Sequence, residues 1–194
     1  MRRAPILAAM PRSLFLRVST GLLVIALAIA ASAASRDRRF FSARHGVGIE
    51  APAGWTLSQH TGYPNILVVL LHPDGSRVSI AAEPTQARDA RALAEQSRRG
   101  LEAQHLSITR QGPGPRGGTL VEAQGTGRDD LVRQLYLVRS VGADARQAVV
   151  ITLVTKRDHL PTGAAGFDWV LAHLELEIPV GRAVQETPDG GRRD

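Results

Sequence analysis

The segment 147–155, with the sequence QAVVITLVT, constrains the fold of this chain more than any other segment. Alternate residues of a β-strand point to opposite faces of the sheet. One face of this segment carries Val149, Ile151 and Leu153, and the other carries Val150, Thr152 and Val154. A strand with apolar side chains on both faces has to be covered from both sides. The segment therefore predicts the central strand of a sheet that is packed on both faces.

The rest of the chain supplies further strands, which are separated by turn residues. Apolar and β-branched runs predict strands at 46–52, with 55–58 as its continuation beyond a turn, and at 66–71, 77–82, 106–110, 120–124 and 131–139. The run 66–71 is apolar throughout and predicts a strand that is covered on both faces. Pro73, Asp74 and Gly75 form a turn that joins this run to 77–82 as a hairpin. Strand runs joined by such turns indicate a mostly antiparallel sheet.

Two segments have the periodicity of helices. Asp89 can cap a helix from Ala90 to about Gln104. Its apolar residues form one narrow stripe, made of Ala90, Leu93, Ala94, Ser97 and Leu101. A second amphipathic helix is predicted from helical spacing of Phe167, Val170, Leu171 and Leu174. The predicted fold class is therefore α+β, a mostly antiparallel sheet packed with two helices in an α/β sandwich.

The first 35 residues have the order of a secretory signal peptide. A basic region precedes an uncharged stretch from Val18 to Ser35, which contains the small residues Ala31, Ser32 and Ala33. This order predicts Sec export, with a periplasmic or secreted mature chain that begins at Ala34. An uncleaved membrane anchor is the alternative, because the uncharged stretch reaches the lower limit of a spanning helix and basic residues follow it.

The distribution of charge divides the chain further. The net charge of +6 comes mainly from arginines before position 45, whereas 45–181 holds 13 basic and 14 acidic residues. A nucleic-acid-binding protein needs a basic face, so we expect no nucleic-acid partner. The length of 194 residues fits one domain. The predicted organisation is a signal peptide at 1–33, a basic linker at 34–44, a single α/β domain at 45–180 and a disordered tail at 181–194.

Three segments and their order have a counterpart in a known family. They are Pro52-Ala53-Gly54-Trp55 after the first strand, Arg133-Gln-Leu-Tyr136, and Val149–Thr155 leading into Phe167. The arrangement resembles the PsbP/Mog1-type α/β/α sandwich family, with its bacterial exported relatives of the DcrB and LpqN kind, over about Phe40 to Ile178. The resemblance implies a non-catalytic accessory or binding module whose partners differ between branches. It implies no shared active site, so no functional residue is carried over.

None of the chemical motifs in the chain is complete. Residues 112–117 match G-x-G-x-x-G, but two prolines remove N–H groups that would hold phosphate and a strand follows, so a loop is predicted. The absence of cysteine excludes disulfides and thiolate sites. The six histidines lack a metal-binding spacing, and no serine stands in a G-x-S-x-G elbow. We therefore predict no catalytic residue, no metal and no cofactor.

Four side chains are candidate members of a ligand or partner groove. Trp55 and Tyr63 lie near the first turn, although a Trp in this position more often closes the end of a sheet. Arg133 and Arg139 share one strand face with two leucines. These arginines either bind an anionic ligand or only belong to a sheet face whose edge is exposed to water.

The sequence favours an exported, monomeric and non-catalytic module that binds an unidentified protein partner at the cell envelope. One alternative is a carrier of a small apolar ligand in the same compartment, and another is a hydrolase with an unrecognised site. Partner binding predicts an exposed apolar patch. A carrier predicts an enclosed apolar pocket of roughly a few hundred Å³. A hydrolase predicts convergent titratable groups in a cleft.

Overall fold

The structure, a computed structural model, describes residues 38–59, 65–126 and 129–179. Its strands are β1 (Arg39–Ser42), β2 (Val47–Glu50), β3 (Thr56–Ser58), β4 (Ile66–Leu71), β5 (Arg77–Thr85), β6 (Leu106–Pro113), β7 (Thr119–Gly125), β8 (Asp130–Ser140), β9 (Arg146–Lys156) and β10 (Glu175–Leu176). The helices are α1 (Ala90–Ala103) and α2 (Leu160–Ala172). The large sheet has the order β3-β4-β5-β9-β8-β7-β6, and the small sheet has the order β1-β2-β10. Neighbouring strands are antiparallel, and the predicted α+β class is confirmed.

The central strand of the large sheet is β9, as its sequence predicts. It is the fourth of seven strands and pairs along its length with β5 and β8. Val149, Ile151 and Leu153 are buried on one face of the strand. The opposite face is less well covered, because Val150, Thr152 and Val154 are half-buried.

Two hydrophobic cores lie on opposite faces of the large sheet. The first core is closed by α2 and β2, and its buried residues include Val47, Ile49, Leu135, Ile151, Phe167 and Val170. The second core lies beneath α1 and includes Leu93, Leu101, Val121, Tyr136 and Ala148. Neighbouring residues of β8, such as Leu135 and Tyr136, thus belong to different cores, in agreement with strand alternation.

The helix α1 begins where the sequence predicts it. The Asp89 side chain accepts a hydrogen bond from the backbone N–H of Ala92 at 2.7 Å, which satisfies one of the free donors of the first turn. The apolar stripe of the helix supplies its buried residues Ala90, Leu93, Ala94 and Leu101. The helix ends within one residue of the predicted Gln104.

The two helices are offset along the large sheet. One face is covered by α1 over β6, β7 and β8, whereas α2 covers β5 and β9 on the opposite face. The α1 face of β4 therefore extends beyond the helix. Val68 and Leu70, on the opposite face of β4, are fully buried in the first core, but Leu71, on the α1 face, is 45% exposed. The prediction that 66–71 is covered on both faces is wrong, because the α1 packing does not reach this half of the sheet.

The small sheet differs from the predicted organisation. Strand β1 lies inside 34–44, the range predicted as a linker, and pairs Phe40 with Ile49 of β2. Strand β10 pairs with the other edge of β2 after the second helix. These strands have four and two residues, too few for alternation to be visible in the sequence. The predictions for 1–33 and 181–194 concern residues outside the described ranges.

The glycine-rich segment forms the turn between β6 and β7. Its Gly114 N–H donates to the Gly118 carbonyl at 2.8 Å. A Cβ at Gly114 would lie 2.6 Å from Leu135 Cδ1, and one at Gly118 would lie 2.7 Å from Leu137 Cδ2. The glycines therefore allow the turn to pack on the first core. The predicted loop is confirmed, and a strand, not a helix, follows it.

A further close approach joins α2 to Trp55, and it can be tested by substitution. A Cβ at Gly166 would overlap the Trp55 ring, so Gly166→Ala should lower the free energy of unfolding by about 1–2 kcal/mol in urea denaturation. Gly100→Ala in α1 is the matched control. It meets no atom within 4 Å and should stabilise the protein by about 0.5–1 kcal/mol through helix propensity. Equal effects at both positions would contradict this packing.

Candidate functional site

Trp55 is placed in the first core. Its side chain is only 8% exposed, and its ring lies 5.3 Å from that of His72. The indole packs against Gly166 of α2 and closes one end of the sandwich. Trp55 therefore closes the end of a sheet and does not line a groove. Tyr63, its predicted neighbour in a groove, lies outside the described residues.

Arg139 connects the two sheets. Its guanidinium donates to the carbonyl oxygens of His45 at 2.6 Å, Gly46 at 3.0 Å and Glu177 at 2.8 Å. It also donates twice to Gln147 Oε1, at 2.9 and 2.7 Å. Burial lowers the pKa of Arg139 from its usual value. The guanidinium donors are thus used within the fold, where they hold one end of the small sheet, the start of β2 and the end of β10, against β8.

Removal of this guanidinium should loosen the small sheet. Arg139→Met removes the donor from the His45 and Glu177 carbonyls, whereas the Gly46 carbonyl keeps the Glu177 N–H, so we expect a loss of about 2–4 kcal/mol in urea unfolding. Hydrogen exchange should accelerate in β2 and β10. The control is Arg146→Met, an exposed arginine of the neighbouring strand β9, which should change stability by less than about 0.5 kcal/mol. Similar losses in both variants would contradict the connecting role of Arg139.

Arg133 lines a shallow cavity on the α2 face of the large sheet. Its Nη2 lies 2.9 Å from Glu122 Oε1, and its guanidinium carbon lies 6.0 Å from the centre of the Phe167 ring. The cavity is open to solvent, has a volume of about 150 Å³ and includes Thr109, Leu131 and Leu160 in its lining. The guanidinium is thus already paired with a carboxylate, which reduces its capacity to hold an anionic ligand.

A row of charges crosses three strands at this cavity. Register places Arg110 of β6 opposite Glu122 of β7, and Glu122 opposite Arg133 of β8. The ion pair forms between Glu122 and Arg133. Arg110 is exposed at the outer end of the row, beside a bulge at Thr109. The row therefore leaves a cationic side chain at the edge of the sheet.

A second open cavity lies on the opposite face of strand β6. It has a volume of about 360 Å³ and lies between the end of α1 and the start of β6. Arg98 and Glu102 form an ion pair of 2.9 Å in its lining, next to His105, Ser107 and Thr126. Strand β6 therefore has an open depression on each face.

A cluster of two histidines and one carboxylate forms where the β4–β5 turn meets α2. His72 Nδ1 lies 3.0 Å from Asp74 Oδ1, and His159 Nδ1 lies 3.9 Å from Asp74 Oδ2. Burial alone would raise the pKa of Asp74, but hydrogen bonds from Ser76 and His72 outweigh it and lower the pKa below its usual value. The turn sequence Pro-Asp-Gly indicates the position of Asp74, but nothing in the sequence brings His159 to it.

The Asp74 carboxylate should stabilise the fold in a pH-dependent way. Asp74→Asn weakens the charge-assisted hydrogen bond from the Ser76 N–H, so we expect a loss of about 1 kcal/mol at pH 7. Because the folded pKa is lowered, this stabilisation is complete above the unfolded value of about 3.9 and is lost as pH falls through the folded value. Urea unfolding should therefore show a smaller deficit at pH 3 than at pH 7. A deficit independent of pH would contradict the role of the charge, and Asp158→Asn is the exposed control.

An apolar surface remains on the α1 side of β4, β5 and β9. We call it the open sheet face and define it by Val69, Leu71, Ala81 and Val154. Register brings these residues onto one face, where the polar side chains of Arg77 and Ser79 lie between β4 and β9. Leu71 and Val154 flank Arg77, which is exposed at one end of this face.

The described residues do not assemble a metal centre. No group of three or more His, Asp or Glu side chains in these ranges is arranged to hold a metal ion. Ser76 lies near the histidine cluster, but its hydroxyl is buried and bonded to Thr155 Oγ1 at 2.8 Å. Within 38–59, 65–126 and 129–179, no helix is long and apolar enough to cross a membrane.

Comparison with solved structures shows the fold. The crystal structure of LpqN from Mycobacterium tuberculosis has a TM-score of 0.53 at 12% identity, over 67% of this chain and 82% of that chain. The chain has a PsbP/Mog1-like fold. The solution structure of cyanobacterial PsbP from Synechocystis sp. PCC 6803 has a TM-score of 0.49 at 16% identity, over 72% of this chain and 91% of that chain. No family model and no curated protein matches the sequence.

Proposed function

We propose that this PsbP/Mog1-like protein is an exported, non-catalytic module that binds a protein partner at the cell envelope. The observation that carries the proposal is the open sheet face. Leu71 is 45% exposed, Val69 and Val154 are half-buried on the same face, and exposed apolar patches are typical of interaction sites.

The two cavities favour a protein partner over a small apolar ligand. Both are open to solvent, and each contains an ion pair, Glu122 with Arg133 in one and Arg98 with Glu102 in the other. A carrier of an apolar molecule needs an enclosed and mostly apolar cavity. Charged groups in these open depressions suit a solvated protein surface better.

The envelope location is supported by two observations of different kinds. The N-terminal sequence has the basic, apolar and small-residue regions of a secretory signal. LpqN, which shares the fold, is described as involved in cell envelope biogenesis. At 12% identity, LpqN supports a role at the cell envelope by analogy of fold only, and it does not indicate which protein this chain binds.

The proposal is tested by quantitative capture from an envelope extract with the tagged full-length chain expressed for export. Leu71→Glu places a charge at the most exposed apolar position of the open sheet face, so it should reduce capture of the partner at least about tenfold. Ile178→Glu is the matched control, because Ile178 is 81% exposed and lies outside the open sheet face. Intact mass of the exported bait should correspond to a chain that begins at Ala34.

The outcomes separate the alternatives. A protein captured in stoichiometric amount by the parent chain and by Ile178→Glu, but not by Leu71→Glu, would support binding through the open sheet face. Capture that is unaffected by Leu71→Glu would contradict it. A small molecule bound to a bait that captures no protein would instead favour the carrier. A bait mass equal to that of the full chain would contradict cleavage and favour the anchor.

A further inference from the structure

We propose that the outer edge of β6 accepts an extended, acidic segment of a partner protein as an additional antiparallel or parallel strand. This interaction uses a surface different from the open sheet face and goes beyond the proposed function. It is recognition by strand addition, in which main-chain hydrogen bonds give affinity and neighbouring side chains give specificity.

The position of β6 makes strand addition possible. It is the last strand of the large sheet and has eight residues, Leu106–Pro113. Within the described residues it pairs with β7 alone, so its other edge faces away from the sheet. Alternate residues of an edge strand direct their N–H and C=O groups outward. Eight residues offer enough of these groups to hold a short peptide.

The two faces of β6 offer different side-chain environments. On the α2 face, an added strand would lie next to the exposed Arg110 and the cavity that includes Thr109. On the α1 face, it would lie next to the second cavity, which contains Arg98, Glu102 and His105. Alternate side chains of the added strand would therefore meet a cation on one face and a mixed polar depression on the other.

Charge determines which segment fits this edge. Glu122 forms its ion pair with Arg133, at 2.9 Å, and Arg110 stands at the outer end of the charge row. An acidic side chain on the added strand would extend the row with alternating signs across four strands. Opposite charges on directly facing strand positions are stabilising, and like charges are destabilising.

The same charge disfavours pairing of β6 with a second copy of the chain. The middle of Leu106–Pro113 lies between Thr109 and Arg110. Antiparallel pairing of two copies about this point places Arg110 of each copy opposite Thr109 of the other, and a pairing shifted by one residue places the two Arg110 side chains directly opposite each other. A basic residue on an edge strand is a common protection against edge-to-edge association. The edge therefore discriminates against its own sequence and in favour of an acidic strand.

The experiment is an NMR titration of the full-length chain with a capped heptapeptide of alternating Glu and Val residues. The peptide should shift the backbone amides of β6 and should bind at least about fivefold more tightly than the same peptide with Lys in place of Glu. N-methylation of single peptide residues should weaken binding with a period of two, because alternate amides donate to β6. Arg110→Glu should reverse the preference for charge, whereas Arg99→Glu, an exposed control on α1, should leave it unchanged.

Each arm has a result that would overturn the proposal. Equal binding of the Glu and Lys peptides, or N-methyl effects without period two, would exclude acidic strand addition. Slow hydrogen exchange along all of β6 in the free protein would show that another segment of the chain occupies the edge, and it would also overturn the proposal. Leu71→Glu should leave peptide binding unchanged, so failure here and failure of the open sheet face are distinguishable.

Discussion

The offset of the two helices on opposite faces of the seven-stranded sheet determines which parts of the sheet are available for binding. The sheet needs cover on both faces because β9 is apolar on both. Helix α2 covers β5 and β9 on one face, and α1 covers β6, β7 and β8 on the other. Two diagonal regions extend beyond the helices. One is the open sheet face around Leu71, and the other is the charged row that ends at Arg110.

The small sheet depends on the large one. Strands of two to four residues bury too little surface to be stable alone. Their stability comes from Val47 and Ile49, which enter the first core, and from the Arg139 guanidinium, which binds carbonyls where β2 begins and β10 ends. The half-buried Arg139 inside an apolar strand thus has a structural reason. The same reason makes Arg139 a poor candidate for ligand binding.

Local sequence patterns predict most strands of the large sheet. The alternating residues of β9 predict its central position, and Asp89 predicts the start of α1. Local sequence was insufficient where structure depends on distant contacts. Strands β1 and β10 are defined by their pairing with β2, and the cover of Leu71 depends on where α1 lies along the sheet.

The candidate sites show the same limit. The position of Arg133 inside an apolar strand makes it a candidate site residue in the sequence. Its pairing with Glu122 depends on the register of β7 and β8, which the sequence does not show. The Trp55 side chain lies in the core because Gly166 of α2 admits its ring, a contact between residues far apart in sequence. Asp74 and His159 also meet only in the folded chain. Sequence therefore identified polar and aromatic residues in unusual places, and the fold decided which of them face solvent.

The exposure of the open sheet face can be measured directly by methyl NMR of the free protein in the presence of a soluble paramagnetic probe. We expect strong relaxation of the Leu71 methyls, because this side chain is exposed, and intermediate relaxation of the Val154 methyls, because that side chain is half-buried. The methyls of Val78 and Ile151, which are fully buried in the first core, should be unaffected. If Leu71 and Val154 were as protected as Val78, another part of the molecule would cover this face, and the central claim would be contradicted.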